Sequence, residues 1–284
     1  MRFLKLLAMF ALCIPSLMAQ AEWPRPKWEK VHLLTCRRDG TPVSYEIGKY
    51  RVDLVPKADP KKREFFCRAS LVNGAGEKQE LMQDKEVSVY QGTGEDILSD
   101  GNPSLVLEGF SGGEHCCYTY KIVSLGERAS TLAPIRNRSP FFFFRGPDGQ
   151  FRIMTSDGAF GNFDGLCYDC SPFPRVVLKA DRSGLHDVGS QFAERYDSEI
   201  ALARAKIPED RIGEFQLADF RDARSVVLEI VFSYLYSDRE DQAWQTLNEM
   251  WPTTDRERMK NLITATRAKG ILSKLNQSEA RNIP

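Results

Sequence analysis

From Val31 to about Leu178, apolar positions recur every second residue or in short unbroken runs, a pattern of strands rather than helices. Tyr50-Arg51-Val52-Asp53-Leu54-Val55 and Glu86-Val87-Ser88-Val89-Tyr90 alternate in this way, as a sheet with two unlike faces requires. Leu105-Val106-Leu107 and Lys121-Ile122-Val123 are shorter and more apolar. Turn dipeptides punctuate the runs at Asp39-Gly40, Asn73-Gly74, Asp100-Gly101, Gly112-Gly113, Asp148-Gly149 and Asp157-Gly158. Phe141 to Phe144, bounded by Pro140 and the Arg145-Gly146-Pro147 turn, predicts a strand buried on both faces. A ligand-stacking strip is its rival reading. If exposed, it would be the main aggregation hazard of the chain.

Near Gly189 the period changes from two to about 3.6. Residues 191–207 and 214–236 carry apolar positions at helical spacing, among them Phe215, Leu217, Phe220, Val227, Ile230, Val231, Tyr234 and Leu235. A third helix is expected from about Arg239 to Met250, ended by Trp251-Pro252. Thr254-Asp255 reads as the N-cap of a fourth and last helix, closed by Gly270. Strands followed by helices, rather than alternating with them, give an α+β class. We expect a mostly antiparallel, disulfide-stabilised β domain over 22–188 and an α-helical domain over 189–284.

The first 21 residues stand apart from this pattern. Arg2 and Lys5 precede the apolar run Leu6–Pro15, and Ala19-Gln20-Ala21 supplies small residues for cleavage after Ala21 or Ala19. The run is too short to span a bilayer, so it reads as a secretory signal and places the mature protein in the periplasm or outside the cell. Leu12 before Cys13 fits poorly with the small residue that lipidation requires. Glu22 to Lys30, with Pro24, Pro26 and two tryptophans, reads as an extended lead-in. Losing Arg2 and Lys5 takes the basic count from 39 to 37 against 39 acidic residues, a formal charge of −2. That balance offers nucleic acid no electrostatic footprint, and no later stretch is long and apolar enough for a transmembrane helix.

Of the 7 cysteines, six remain after Cys13 is removed: Cys36, Cys67, Cys116, Cys117, Cys167 and Cys170. An even number in an oxidising compartment makes three disulfides the default expectation, and six cysteines allow 15 connectivities. We expect Cys36 to bridge Cys67, and the adjacent pair Cys116 and Cys117 to join the Cys167-x-x-Cys170 loop. A zinc site of these thiolates with His115 is a sharper alternative, but a second C-x-x-C is missing. Thiol exchange at Cys167 and Cys170 is the third option, although Pro172 and Pro174 place the pair in a loop rather than at a helix start. On a strand His115 and Cys117 would lie about 6.6 Å apart, two rises of ~3.3 Å, beyond the reach of a base.

Residues 94–107, running Gly94-Glu95-Asp96-Ile97-Leu98-Ser99-Asp100-Gly101-Asn102-Pro103-Ser104-Leu105-Val106-Leu107, resemble the calcium-loop-plus-strand unit of FG-GAP and VCBS repeats, the blades of integrin-type propellers. A fainter echo follows at Asp148–Ile153. That resemblance implies a cation among Asp96, Asp100 and their neighbours. Leu98 and Ser104 stand where further oxygens are needed, so we expect a turn that no longer holds calcium, and no metal or cofactor. Leu105 to Tyr120 with its Ser-Gly-Gly-Glu-His-Cys-Cys segment, followed by Cys167–Leu178, resembles a group of exported bacterial proteins of unknown function. Residues 224–252 resemble one tetratricopeptide hairpin, with Ala243 as the small crossing residue; about three such units are needed for a binding stack. Two blade-like units do not close a propeller, so a compact sheet arrangement fits equally well.

No G-x-S-x-G, H-E-x-x-H, phosphate-binding or dinucleotide-binding glycine motif occurs. Asp157, Asp164 and Asp169, with Glu108 and Glu114, could supply a carboxylate pair for hydrolysis, but no spacing singles out two. The expected function is therefore non-enzymatic binding of an envelope protein or a glycan. Candidate contact residues are Glu114, His115, Asp157, Phe160, Phe163, Asp164, Tyr168 and Asp169, on loops held by a scaffold. An envelope enzyme, a thiol oxidoreductase or a hydrolase, is the alternative.

Overall fold

The computed structural model describes residues 23–24, 31–37, 40–59, 64–113, 117–207 and 221–279. The expected signal segment 1–21, Cys13, Glu114, His115, Cys116 and the expected helical positions Phe215, Leu217 and Phe220 lie outside the described residues. The fold is α+β, with fourteen strands in three antiparallel sheets followed by five helices among the described residues.

The first sheet is a meander of β2 (Val43–Ile47), β3 (Tyr50–Asp59), β4 (Glu64–Val72) and β5 (Lys78–Asp84). Asn73 closes its β4–β5 turn by accepting the amides of Ala75 and Glu77. The central sheet runs β1 (His32–Cys36), β6 (Glu86–Tyr90), β7 (Ser104–Phe110), β8 (Tyr118–Leu125) and β10 (Ile135–Asn137), with β9 (Ala129–Thr131) also pairing with β8. The third is a second meander of β11 (Phe142–Arg145), β12 (Phe151–Ser156), β13 (Arg175–Asp181) and β14 (Gly184–Asp187).

Alternation along the central strands sorts their side chains between two cores. Val87, Val89, Leu105, Leu107, Val123 and Leu125 face the first sheet. Tyr90, Val106, Tyr120 and Ile122 face the third sheet and the helices. The Cys36–Cys67 disulfide crosses the first core from β1 to β4, as expected, with both residues buried. The phenylalanine run behaves as core: Phe141, Phe143 and Phe144 are buried and Phe142 is half-buried. Truncating any of the three buried rings to alanine would cost of order 3–5 kcal/mol.

The helices are α1 (Ala193–Arg204), α2 (Arg221–Leu235), α3 (Glu240–Met250), α4 (Arg256–Arg267) and α5 (Ile271–Glu279). The strand-to-helix change falls between Asp187 and Ala193. The core does not change there, because one hydrophobic cluster runs from Tyr90 and Phe141 through Phe160 to Val231, Trp251 and Ile263. Ala243 is fully buried where α3 packs on α2. Trp23, from the expected lead-in, lies edge-on against Tyr196 of α1 with ring centroids 5.0 Å apart.

Two expectations about helix ends are corrected. Asp255 holds the N-cap position of α4, but its side chain makes no capping bond; its carboxylate is taken by Trp251 Nε1 and Arg258. Gly270 is not the end of helical structure. The chain restarts at once as α5, whose first amide, Ile271 N, donates to Asp157 Oδ2 at 3.2 Å. The cap comes from a residue 114 positions away, so no local residue announces it.

Candidate functional site

β7 and β8 place Glu108 on the face that meets the third sheet, opposite Tyr120 on one side and Ser88 on the other. Glu108 is almost wholly buried, which would cost several kcal/mol for an unpartnered carboxylate. It is not unpartnered. His32 Nε2 lies 2.8 Å from Oε1, and the Tyr120 hydroxyl donates to Oε2 in a short bond. Tyr120 in turn accepts the Phe141 amide at 2.9 Å and stacks on the Phe141 ring at 4.2 Å. Tyr90 donates to the Phe141 carbonyl at 2.8 Å. Burial, Tyr90 and the Glu108 charge hold the Tyr120 hydroxyl well above its ordinary pKa, and burial raises Tyr90 likewise. His32 is 42% exposed at its side chain while Glu108 is 5% exposed, so the pair forms a polar shaft from the surface to the core. His32 escaped the sequence reading because a histidine at a strand start carries no signal until its cross-sheet partner is known.

Just beyond the end of β7 the chain makes the Gly-Gly turn. Ser111 closes it, its amide and hydroxyl both bonding the Cys117 carbonyl and its oxygen accepting the Cys117 amide at 3.1 Å. Gly112 and Gly113 adopt φ of 79° and 111°, which explains the glycines there. Phe110 and Tyr118 flank the turn with ring centroids 5.2 Å apart. Tyr118 is half-buried, and its hydroxyl is pushed up by burial first, then by the charges of Glu108 and Tyr168. Tyr168, fifty residues on in sequence, thus acts electrostatically on Tyr118, while its own ring packs on Phe173 with centroids 4.9 Å apart.

The bridge expected between those loops is corrected. Cys167 bonds to Cys170 within its own turn, with Cα atoms 5.0 Å apart. Cys117 is disulfide-bonded as well, whereas Cys116 lies outside the described residues. Spacing cannot exclude a local bridge across a C-x-x-C turn, since its Cα separation suits a disulfide. The Cys170 amide also donates to Cys167 Sγ at 3.0 Å, and Ser171 Oγ donates to the Cys167 carbonyl at 2.9 Å. Ser225 Oγ of α2 fastens the turn by donating to the Cys170 carbonyl.

Half of the candidate contact residues turn out to be fastening. Phe160 and Phe163 are buried, with Phe160 4.5 Å from the Phe232 ring of α2. A glycine-rich segment with aromatics reads as an open loop in sequence; here the aromatics point inward because α2 covers them. Asp157 is 1% exposed, accepting from Ala159 N, Tyr236 Oη and Ile271 N. Tyr236 donates at 2.7 Å and is held well above its ordinary pKa by burial and by that carboxylate. Asp164, in a left-handed turn at φ 50°, is clamped by Arg224 and twice by Arg258. Of that set, Tyr168 is half-buried and Asp169 exposed; Glu114 and His115 lie outside the described residues.

The calcium-like loop is closed on itself. Asp96 accepts the amides of Asp100 and Gly101, while Asp100 accepts Asn102 N, Ser124 Oγ and Arg182 Nε. Arg182 Nε lies 3.0 Å from Asp100 Oδ2, so this carboxylate already has a cationic partner. Among the described residues no cluster of three or more metal-binding side chains occurs, and no helix is long and apolar enough to cross a membrane. Compared with known proteins, the chain matches no family model, no curated protein and no solved structure.

Proposed function

We propose that this chain is an exported envelope protein that binds a protein or glycan partner without chemistry, through the corner where the Ser111–Cys117 turn meets the Cys167–Cys170 loop. One observation supports the reading. Tyr118 at the start of β8 and Tyr168 of the Cys167–Cys170 loop are both half-buried and interact electrostatically, and Asp169 next to Tyr168 is exposed. Partly exposed rings with a neighbouring carboxylate suit stacking on a sugar or packing of a protein side chain. Export rests on the signal-like residues 1–21. The 94–107 unit and the α2–α3 hairpin fit here as scaffold, the first as a repeat-type turn and the second as a tetratricopeptide-like pair.

The test replaces Tyr168 and Asp169 with alanine and measures capture on immobilised cell-wall glycan and on an envelope-protein array. The double variant should lose about tenfold or more in affinity, about 1.4 kcal/mol, at unchanged melting temperature. Phe160→Ala should instead unfold the protein. Undiminished capture by the double variant would remove the corner as the contact surface.

A second reading, thiol exchange, is favoured by the exposure of Cys167 and the amide bond to its sulfur. A thiolate of a reduced substrate protein would attack Cys167 Sγ, and Cys170 would leave as a thiolate and take a proton. A second substrate thiolate then displaces Cys167, so the substrate gains a disulfide and Cys167 and Cys170 become thiols. Incubation with a reduced dithiol peptide should then yield two new protein thiols at 167 and 170; none forming ends this reading. The acidic-loop hydrolase draws no support, since Asp157 and Asp164 are already bonded.

A further inference from the structure

Two sheets end beside each other, and a cleft of about 500 Å³ opens between their last strands. β10 is the terminal strand of the central sheet and β14 that of the third, and both line the cleft together with α5. Terminal strands present backbone groups with no strand neighbour on one side, a template for a further strand. The floor is apolar, made by Leu132, Ile135 and Leu185. The rim carries Arg136, Arg182 and Lys274, all exposed. Among the described lining residues none is a carboxylate. Arg182 gives its Nε to Asp100 and retains its other donors.

We propose that this cleft binds an extended acidic peptide, with apolar and acidic residues in alternation, that adds a strand at a sheet edge. The reasoning combines three features. An apolar floor beneath a cationic rim demands a ligand that is apolar on one side and anionic on the other. Successive side chains of an extended peptide point to opposite sides, so alternation provides both at once. A nearby strand edge supplies main-chain hydrogen bonds, which favours a peptide over a lipid, whose acyl chain has no groups to use them. β14 is four residues long, so pairing there would be brief and the rim charges would set specificity. The site shares no residue with the corner described above and stands or falls separately.

The probe is a fluorescent alternating valine–glutamate octapeptide, titrated into the full-length protein by anisotropy. Its counterparts are the valine–lysine octapeptide and a block peptide with all the glutamates together. Only the alternating acidic peptide should bind tightly, and raising the salt should weaken it. Arg136→Glu with Lys274→Glu should weaken it by about tenfold or more and shift preference toward the lysine peptide. Equal binding of acidic and basic peptides, or binding untouched by the charge reversal, overturns the proposal. So does binding of phosphatidylglycerol vesicles in preference to every peptide. A variant ending at Glu279 that binds where the full chain does not would make the C-terminal residues themselves the occupant, which also overturns it.

Discussion

Gly270 sits where no other residue fits. A Cβ built there would stand 2.0 Å from Asp157 Oδ2 and 2.8 Å from its Cγ. Asp157 cannot swing away, since its carboxylate is bonded to Ala159, Tyr236 and Ile271. Gly189 repeats the situation, its absent Cβ lying 2.1 Å from the Tyr236 carbonyl. Gly270→Ala should therefore destabilise the protein by about 2–4 kcal/mol, combining overpacking with a lost buried hydrogen bond. Gly74→Ala, whose Cβ meets only the Lys49 carbonyl at 3.7 Å, should be nearly neutral. Equal melting temperatures for the two variants would show that Asp157 can yield. None of this was visible in sequence, where Gly270 has the ordinary look of a helix stop and Asp157 that of a turn. At single-residue scale the chain hides its long-range partners.

At the scale of elements much more was legible. Strand β6 was bounded correctly from Glu86 to Tyr90, because its alternation answers directly to two different cores. The end of α3 at Trp251-Pro252 was equally plain. α5 was missed because its N-terminal amide is satisfied by Asp157 rather than by a neighbour. The loop over 157–170 was misjudged for a related reason: α2, not the loop, decides that Phe160 and Phe163 are buried. The disulfides show the same division. Cys36–Cys67 spans 31 positions, for which loop-closure entropy gives about 3–4 kcal/mol, whereas Cys167–Cys170 spans 3 and gives only about 2 kcal/mol. The first is a strong staple between sheets, and the second contributes little to holding the molecule together.

For the whole molecule, the change from strands to helices near 188 suggests two domains, yet the packing joins them. Phe160 and Tyr236, Asp157 and Ile271, and Asp164 with Arg224 and Arg258 all cross that boundary. Unfolding should accordingly be a single transition, with the helical far-ultraviolet signal and the near-ultraviolet aromatic signal lost together. Two separated transitions would mean that the helices and sheets hold their own cores. The change of period along the chain could suggest the α+β class but not this sharing, since the apolar face of α2 looks the same whether it meets another helix or a loop.

Asp157 also sets an order in time. Its three hydrogen-bond donors reside at positions 159, 236 and 271, so a chain made from its N-terminus acquires the last one only when nearly complete. Until then one side of the carboxylate stays open to water. A product truncated before residue 271 keeps that door open, beneath aromatic rings that α2 has already covered.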